Sequence, residues 1–440
     1  MTAMPVPYEA MRLRAPRLPL DMSQATGSAC AVLGLVILSE APVAMITALS
    51  LNAALGALVN LIWLTAHVIG LIGVLSLAGR TPGLMVLLPV WLLIVTNYLS
   101  AGWSIDRAET VRMATFYMGT ALFGMWLGTR ATSWTAFAKL LVFTCGLLAS
   151  LSVILIALPG PLGIMIDPYP GAWSGLWDEK NRFAMTLVVG LVASIGLWLE
   201  GRGPGWLVPA FAFIGLILLA QASTALLAAS AGIAVLMLVR VLNARPGLGL
   251  ALGWAGTCAF ASLLGVLIAL PQVVVSAVGR EVTLTGRTDI WGEVLRMIAD
   301  WPVLGYGHGS FWRMTPDGPA EIVRENLGFK MFNSHSGWLD AALDTGVLGV
   351  AIISAATLVA LVITLRAGLR VRGAGLGTGL IAVCLVYSLT ESQFFQANAL
   401  LPTIFVAVLA RAGVSLARIA AATRPIALRS STGLLSPHFT

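Results

Sequence analysis

Residues 222–240 read Ala-Ser-Thr-Ala-Leu-Leu-Ala-Ala-Ser-Ala-Gly-Ile-Ala-Val-Leu-Met-Leu-Val-Arg. No charge interrupts the run before Arg240, and its apolar side chains are continuous rather than alternating. A helix needs about 20 largely apolar residues to cross a hydrocarbon core of roughly 30 Å, whereas a membrane strand alternates apolar and polar positions. The run therefore reads as a transmembrane helix. The same reading, carried outward, gives twelve candidate spans: 28–50, 54–77, 83–100, 111–129, 136–158, 183–200, 205–220, 222–240, 249–271, 344–365, 376–394 and 398–416. Glu40 and Pro42 interrupt the first, which reads either as one helix or as two re-entrant halves.

Composition agrees. Of 440 residues, 58% are hydrophobic and 10% charged, against about 25% charged in an average soluble domain. A soluble globular protein, a disordered tail and a collagen-like fibre are excluded. The net charge of +7 is not a nucleic-acid signal, because such binders carry dense basic patches on solvated domains. The expected class is all-α: a polytopic transmembrane helix bundle of about 12 spans with a large, partly helical external loop.

Arginine placement orients the bundle. With the N-terminus in the cytoplasm, sixteen of the 26 Lys and Arg fall inside and ten outside, while the inner acidic residues are only Glu9, Asp21 and Glu200. Both termini are expected inside. The N-terminal segment lacks a clear small-residue cleavage site and reads as an uncleaved first helix rather than a signal peptide. Cys30, Cys145, Cys258 and Cys384 lie in apolar spans without CxxC spacing, so they read as packing residues rather than a disulfide or zinc framework. The organisation is thus a cytoplasmic tail at 1–27, nine spans at 28–271, an external loop at 272–336, three spans at 337–416 and a cytoplasmic tail at 417–440.

The loop at 272–336 holds 13 charged residues in 65 positions, and loops of that length are usually functional. Thr288 to Asp300 reads as a helix with an Ile290, Val294, Ile298 stripe, stopped by Trp301-Pro302. The glycines of Leu304-Gly305-Tyr306-Gly307-His308-Gly309 make either a flexible turn or a cradle of backbone amides for an anion. A second helix should begin near Asn333-Ser334-His335-Ser336, with Asp340 and Asp344 on one face. His335 at that helix start reads either as a neutral base or as a capping histidine. Arg287 reads, on spacing alone, as an ion-pair partner of Asp289 or Glu293. Glu40 and His67 lie within spans and have no partner visible in the sequence, and Gly373 to Gly379 imitates a nucleotide loop without the preceding strand, so it reads as a cytoplasmic linker.

Four segments resemble the O-antigen ligase and polysaccharide polymerase superfamily (Wzy-like, exopolysaccharide polymerase-like) of bacterial envelopes. Gly286-Arg287-Thr288-Asp289-Ile290-Trp291 resembles its GR-x-x-x-W helix start, and Pro302 to Gly307 its P-x-x-G-x-G turn. Ser334 to Asp340 with Gly346 and Gly349 resembles its HN-x-y-L…G-x-x-G helix, and Ser100 to Asp106 its S-x-x-WS-x-D loop. Fainter echoes are Gly175 to Asn181 and Ser388-Leu389-Thr390-Glu391-Ser392. Ser336 stands where the family has Asn, and Glu179 where it has His before Lys-Asn.

The resemblance implies a C-type glycosyltransferase-like bundle in the bacterial inner membrane, with its active site in the periplasm. It implies transfer of a glycan from undecaprenyl diphosphate to an acceptor hydroxyl, with inversion. Polymerisation of lipid-linked units into O-antigen or exopolysaccharide is the first reading; ligation to lipid A core or a protein is the second. A lipid-linked sugar transporter is the third, weakened by the absence of a half-to-half repeat. His335 and Arg287 would be catalytic, as base and diphosphate clamp; Lys180, Asn181, Arg182, Gly305, Gly307 and Trp103 would bind substrate. Partners would be the lipid-linked donor, a glycan or lipid A core acceptor and the bilayer, with no nucleic acid. No cofactor or metal is expected, since the donor is already activated and no DxD clamp or P-loop is present.

Overall fold

The computed structural model describes residues 22–49, 55–77, 83–159, 162–269, 284–315, 318–392 and 396–423. The chain forms α1 (Met22–Leu38), α2 (Ala41–Leu49), α3 (Leu55–Ser76), α4 (Leu88–Leu99), α5 (Arg107–Arg130), α6 (Trp134–Ala157), α7 (Lys180–Leu199) and α8 (Leu207–Leu219). It continues with α9 (Ser223–Ala244), α10 (Pro246–Ala269), α11 (Leu284–Asp300), α12 (Pro319–Leu327), α13 (Gly337–Gly368), α14 (Gly375–Thr390) and α15 (Leu400–Thr423). The fold is an all-α polytopic bundle; among the described residues extended pairing is limited to one isolated bridge, Ile164 with Trp173.

Helices occupy all twelve expected span positions; among the described residues seven are long and apolar enough to cross a membrane, or eight if the bent α1–α2 pair is one span. For α5, α8, α14 and the first span the reason lies in the sequence. α8 and α14 are short, and Gly, Thr and aromatic residues dilute the apolarity of α5. The first span is broken, with α1 and α2 meeting at 51° around Glu40, whose φ is +69°.

Two helices form the axis of the bundle: 89% of the apolar window of α15 and 78% of that of α7 are buried, against 28–39% for the other spans. α15 packs on α5, and α9 on α14. The α5–α15 approach is close because Gly124 and Gly128 of α5 lie one turn apart; a Cβ on Gly128 would sit 2.0 Å from the Ala407 carbonyl. Small residues at that spacing let membrane helices touch backbone to backbone. Many large apolar side chains, such as Leu61, Ile72, Phe143, Phe211 and Leu358, point outward, as expected where hydrocarbon replaces water.

At one end of the bundle sits a second, small core. Ile290 and Val294 of α11 pack with Tyr306, Phe311, Ala320, Val323, Met331 and Leu343. The expected 288–300 stripe is thus a packing face, and the helix begins earlier, at Leu284. α12 is not among the elements expected from the sequence; Pro319 stands in its first turn and Gly328 closes it in the left-handed conformation. Of the tails and loop, residues 1–21, 270–283 and 424–440 lie outside the described residues.

Candidate functional site

Glu391 follows α14 in extended backbone and collects three partners from distant elements. Arg287 of α11 places Nη2 3.3 Å from Oε1 and donates through Nη1 to the Thr390 carbonyl at 2.9 Å. Asn181 of α7 donates from Nδ2 to the same Oε1 at 3.1 Å. His335, just before α13, holds Nδ1 3.6 Å from Oε2. The local ion pair expected for Arg287 does not form. Glu293 bonds Arg296 and Asn326 instead, which leaves Arg287 to reach across the site.

His335 has φ +52°, a left-handed backbone conformation that costs a non-glycine residue energy and recurs at functional sites. Asn333 supports it by accepting the His335 amide on Oδ1 at 3.0 Å. Ser336 then caps α13, its Oγ accepting the Leu339 amide. Ser and Asn are both strong N-caps, so Ser336, where the resembled motif has Asn, still caps this helix.

Around this hub lies a second charged layer. Arg182 pairs with Glu40 at 2.7 Å, with Asp178 at 3.9 Å. The break between α1 and α2 therefore delivers Glu40 to the site, giving it the partner that the sequence did not show. Glu179, Asn181, Arg182 and Glu391 share a narrow cleft with Met185 and Tyr387. Burial first, and Glu391 second, push the Glu179 carboxyl from 4.5 up to about 7, against the pull of Arg182 and His335.

The remaining expected site residues lie elsewhere. Lys180 turns away, donating to the Gln221 carbonyl at 3.1 Å and lying 3.4 Å over the Tyr169 ring. Trp103 donates from Nε1 to the Leu304 carbonyl at 2.9 Å. The glycine turn is engaged as well: the amides of Tyr306 and Gly307 bond the Leu343 and Asp344 carbonyls at 2.7 and 2.9 Å. Those carbonyls are freed because α13 kinks at Thr345–Gly346, and the Val347 amide past the kink returns to the Pro302 carbonyl at 2.9 Å. An interrupted helix leaves unpaired backbone groups, and the 302–307 turn pairs them. Gly305 and Gly307, at φ +64° and +102°, thus serve this splice, and their turn is not an open amide cradle. Beside it, His308 Nδ1 meets Asp344 Oδ2 at 2.9 Å, and Asp340 accepts from Ser334 and Trp312.

His335, Arg287, Asn181 and Arg182 therefore converge, while Lys180, Trp103, Gly305 and Gly307 do not join them. Glu391, Glu179 and Glu40 are the residues that sequence reasoning left out of the site; the faint Ser388–Ser392 echo was the available signal for the first.

Residues 208–354 match the family model described as O-antigen ligase. The resemblance to the O-antigen ligase and polysaccharide polymerase superfamily is borne out. The matched segment contains Arg287 and His335, and it stops short of Asn181 on one side and Glu391 on the other. The chain is also similar to the exopolysaccharide production protein ExoQ of Rhizobium meliloti (strain 1021), 23% identical over 205 residues. That match covers 43% of this chain and 46% of the relative, so the chain spans under half the length of the relative it matches. Together with the apolar helices, these findings describe a multi-pass membrane protein with a segment, 208–354, similar to the O-antigen ligase family.

Proposed function

We propose that the chain is an inner-membrane glycosyltransferase that joins undecaprenyl-diphosphate-linked oligosaccharides into O-antigen or exopolysaccharide on the periplasmic face. The observation that carries this reading is the meeting of Arg287, Asn181 and His335 on Glu391, with Arg182 beside them. A diphosphate leaving group needs fixed positive charge where negative charge develops, and guanidinium groups match phosphate oxygens in pairs. Arg287 and Arg182 supply it. Each is now matched to a carboxylate, so an incoming diphosphate finds pre-oriented cations and competes with Glu391 and Glu40 for them.

His335 supplies the base. An Nδ1–H directed at Glu391 leaves Nε2 with its lone pair, and the carboxylate stabilises the imidazolium that forms. At 3.6 Å the pair is just beyond hydrogen-bond range, and we expect it to tighten when substrate binds, as catalytic contacts of free enzymes commonly do. The step balances simply. The acceptor hydroxyl gives its proton to His335 Nε2, its oxygen bonds the anomeric carbon, and the carbon–oxygen bond to diphosphate breaks. Undecaprenyl diphosphate departs with the electron pair, and attack from the opposite face inverts the centre.

The same residues would serve a ligase, which differs only in its acceptor, and the matched family's description favours keeping that reading. The ExoQ relative's name, an exopolysaccharide production protein, fits exopolysaccharide as the product. Full-length protein in lipid nanodiscs, given lipid-linked oligosaccharide alone, should lengthen the glycan without nucleotide and in excess EDTA. Arg287→Ala and His335→Ala should each leave donor unconsumed. Product made only when lipid A core is added would identify the ligase; wild-type product from both variants would refute the assignment.

A further inference from the structure

At the end of the bundle opposite Glu391 is a cavity of about 450 Å³. α7 fixes the separation: it starts at the site with Asn181 and Arg182 and ends on the cavity with Gly196 and Leu199, and its 20 residues span about 30 Å. Arg240, Arg370 and Arg372 line the cavity, against one carboxylate, Glu200. Glu200 is occupied by Thr135 and Arg202, and Arg372 donates to the Glu200 carbonyl at 2.7 Å. Arg240 and Arg370 have no acceptor among the described residues and stay exposed.

The glycine run at 373–379 meets this cavity. Gly373, at φ +81°, turns the chain into α14, and Gly375 begins the helix on the cavity wall. The amides of Ala374, Leu376 and Gly377 are already bonded to the Val371, Gly373 and Ala374 carbonyls, so the uncommitted anion-binding groups on this cavity are Arg240 and Arg370. The carbonyl ends of α7, α9 and α13 also arrive here, and the arginines offset them. The deeper walls are apolar, made by Leu236, Val239 and Leu376, so charge sits at the mouth and hydrocarbon below it.

We infer that this cavity binds the headgroup of an anionic phospholipid from the leaflet opposite the catalytic face. A phosphate matches the two uncommitted arginines, and the apolar walls take the first carbons of the acyl chains; basic pockets between membrane helices recognise anionic headgroups in this way. Under the expected orientation this is the cytoplasmic leaflet.

The test uses delipidated full-length protein titrated with phosphatidylglycerol, phosphatidylcholine or glycerol phosphate and read by native mass spectrometry. Phosphatidylglycerol should bind most tightly. Each arginine near a charged lipid surface contributes about five-fold in affinity, so Arg240→Gln with Arg370→Gln should weaken it about 25-fold, on the order of the two effects combined. The paired lysine substitutions should retain binding, and Arg366→Gln, outside the cavity, should change nothing. If the double variant does not purify as a folded species, the single glutamine variants decide, each expected to lose about five-fold. Unchanged affinity in the glutamine variants, or equal binding of phosphatidylcholine, would overturn the site. Glycerol phosphate binding as tightly as the lipid would overturn the lipid as its ligand.

Discussion

Glu391→Gln keeps the shape of the hub residue and removes its charge. Arg287 then loses its ion pair, and His335 loses the carboxylate that orients its Nδ1 proton, while Asn181 still finds an oxygen acceptor. A general base placed by such a contact is worth about 10²–10⁴-fold. We expect the rate of glycan elongation to fall about 10²-fold at unchanged protein yield; a variant within two-fold or so of wild type would remove Glu391 from the mechanism. Glu179 adds a pH signature. With its pKa raised to about 7, it remains protonated in the folded protein where a free carboxyl would be ionised. Folding takes up a proton in that interval, so stability is highest at the acid end and declines as pH rises from about 4.5 through about 7. Ionisation also places a negative charge beside Arg182, so donor binding should weaken between about pH 6 and pH 8. Donor KM measured across that range should flatten in Glu179→Gln. The sequence placed Arg287 and His335 in the site through their motifs. For Glu391 the only signal was the faint Ser388–Ser392 echo, because its pairing with Arg287, 104 positions away, is set by how α11, α13 and α14 pack, and no local spacing records it.

The kink in α13 is the element on which the external segment hangs. Two backbone bonds from Tyr306 and Gly307 and one back to Pro302 bridge the break, and Asp344 clamps His308 at the same place. Gly346 has φ +63°, and a Cβ there would lie 2.2 Å from the Val303 carbonyl. Gly346→Ala should therefore cost about 3 kcal/mol, combining backbone strain with the clash, and lower the unfolding midpoint of detergent-purified protein by several degrees. Gly292→Ala, in regular helix in α11, meets no atom within 4 Å and should leave the midpoint unchanged or slightly raised. Similar melting of the two variants would show that the splice does not hold the kink. The glycine spacing was legible as a turn and a helix start. What it serves was not: a run of alternating glycines suits an anion cradle and a backbone splice equally well, and only the partner decides. The start of α13 was legible to within a residue or so, because Ser336 is a cap by its own chemistry.

Over the whole molecule, the scarcity of charge fixed the fold class, and the placement of the remaining charge fixes an expected orientation. Apolar runs announced helices at all twelve positions, but α8 and α14 are short and the first pair is bent. The two ends of the bundle now have distinct chemistry. One carries Glu391 with α11 and α12; the other carries Arg240, Arg370 and Arg372, together with Arg366 and Arg202. Retention of arginine and lysine on the cytoplasmic side is the main determinant of membrane orientation, so the Glu391 end should face the periplasm. Lys330 and Arg366 are both exposed and lie at opposite ends of α13 and the segment before it. In a variant with Cys30, Cys145, Cys258 and Cys384 replaced, Lys330→Cys should react with a membrane-impermeant maleimide in cells whose outer membrane has been permeabilised. Arg366→Cys should react only after the inner membrane is opened. The reverse pattern would put the Glu391 cluster in the cytoplasm, away from lipid-linked glycan that has already been flipped, and would end the periplasmic transfer reading with it.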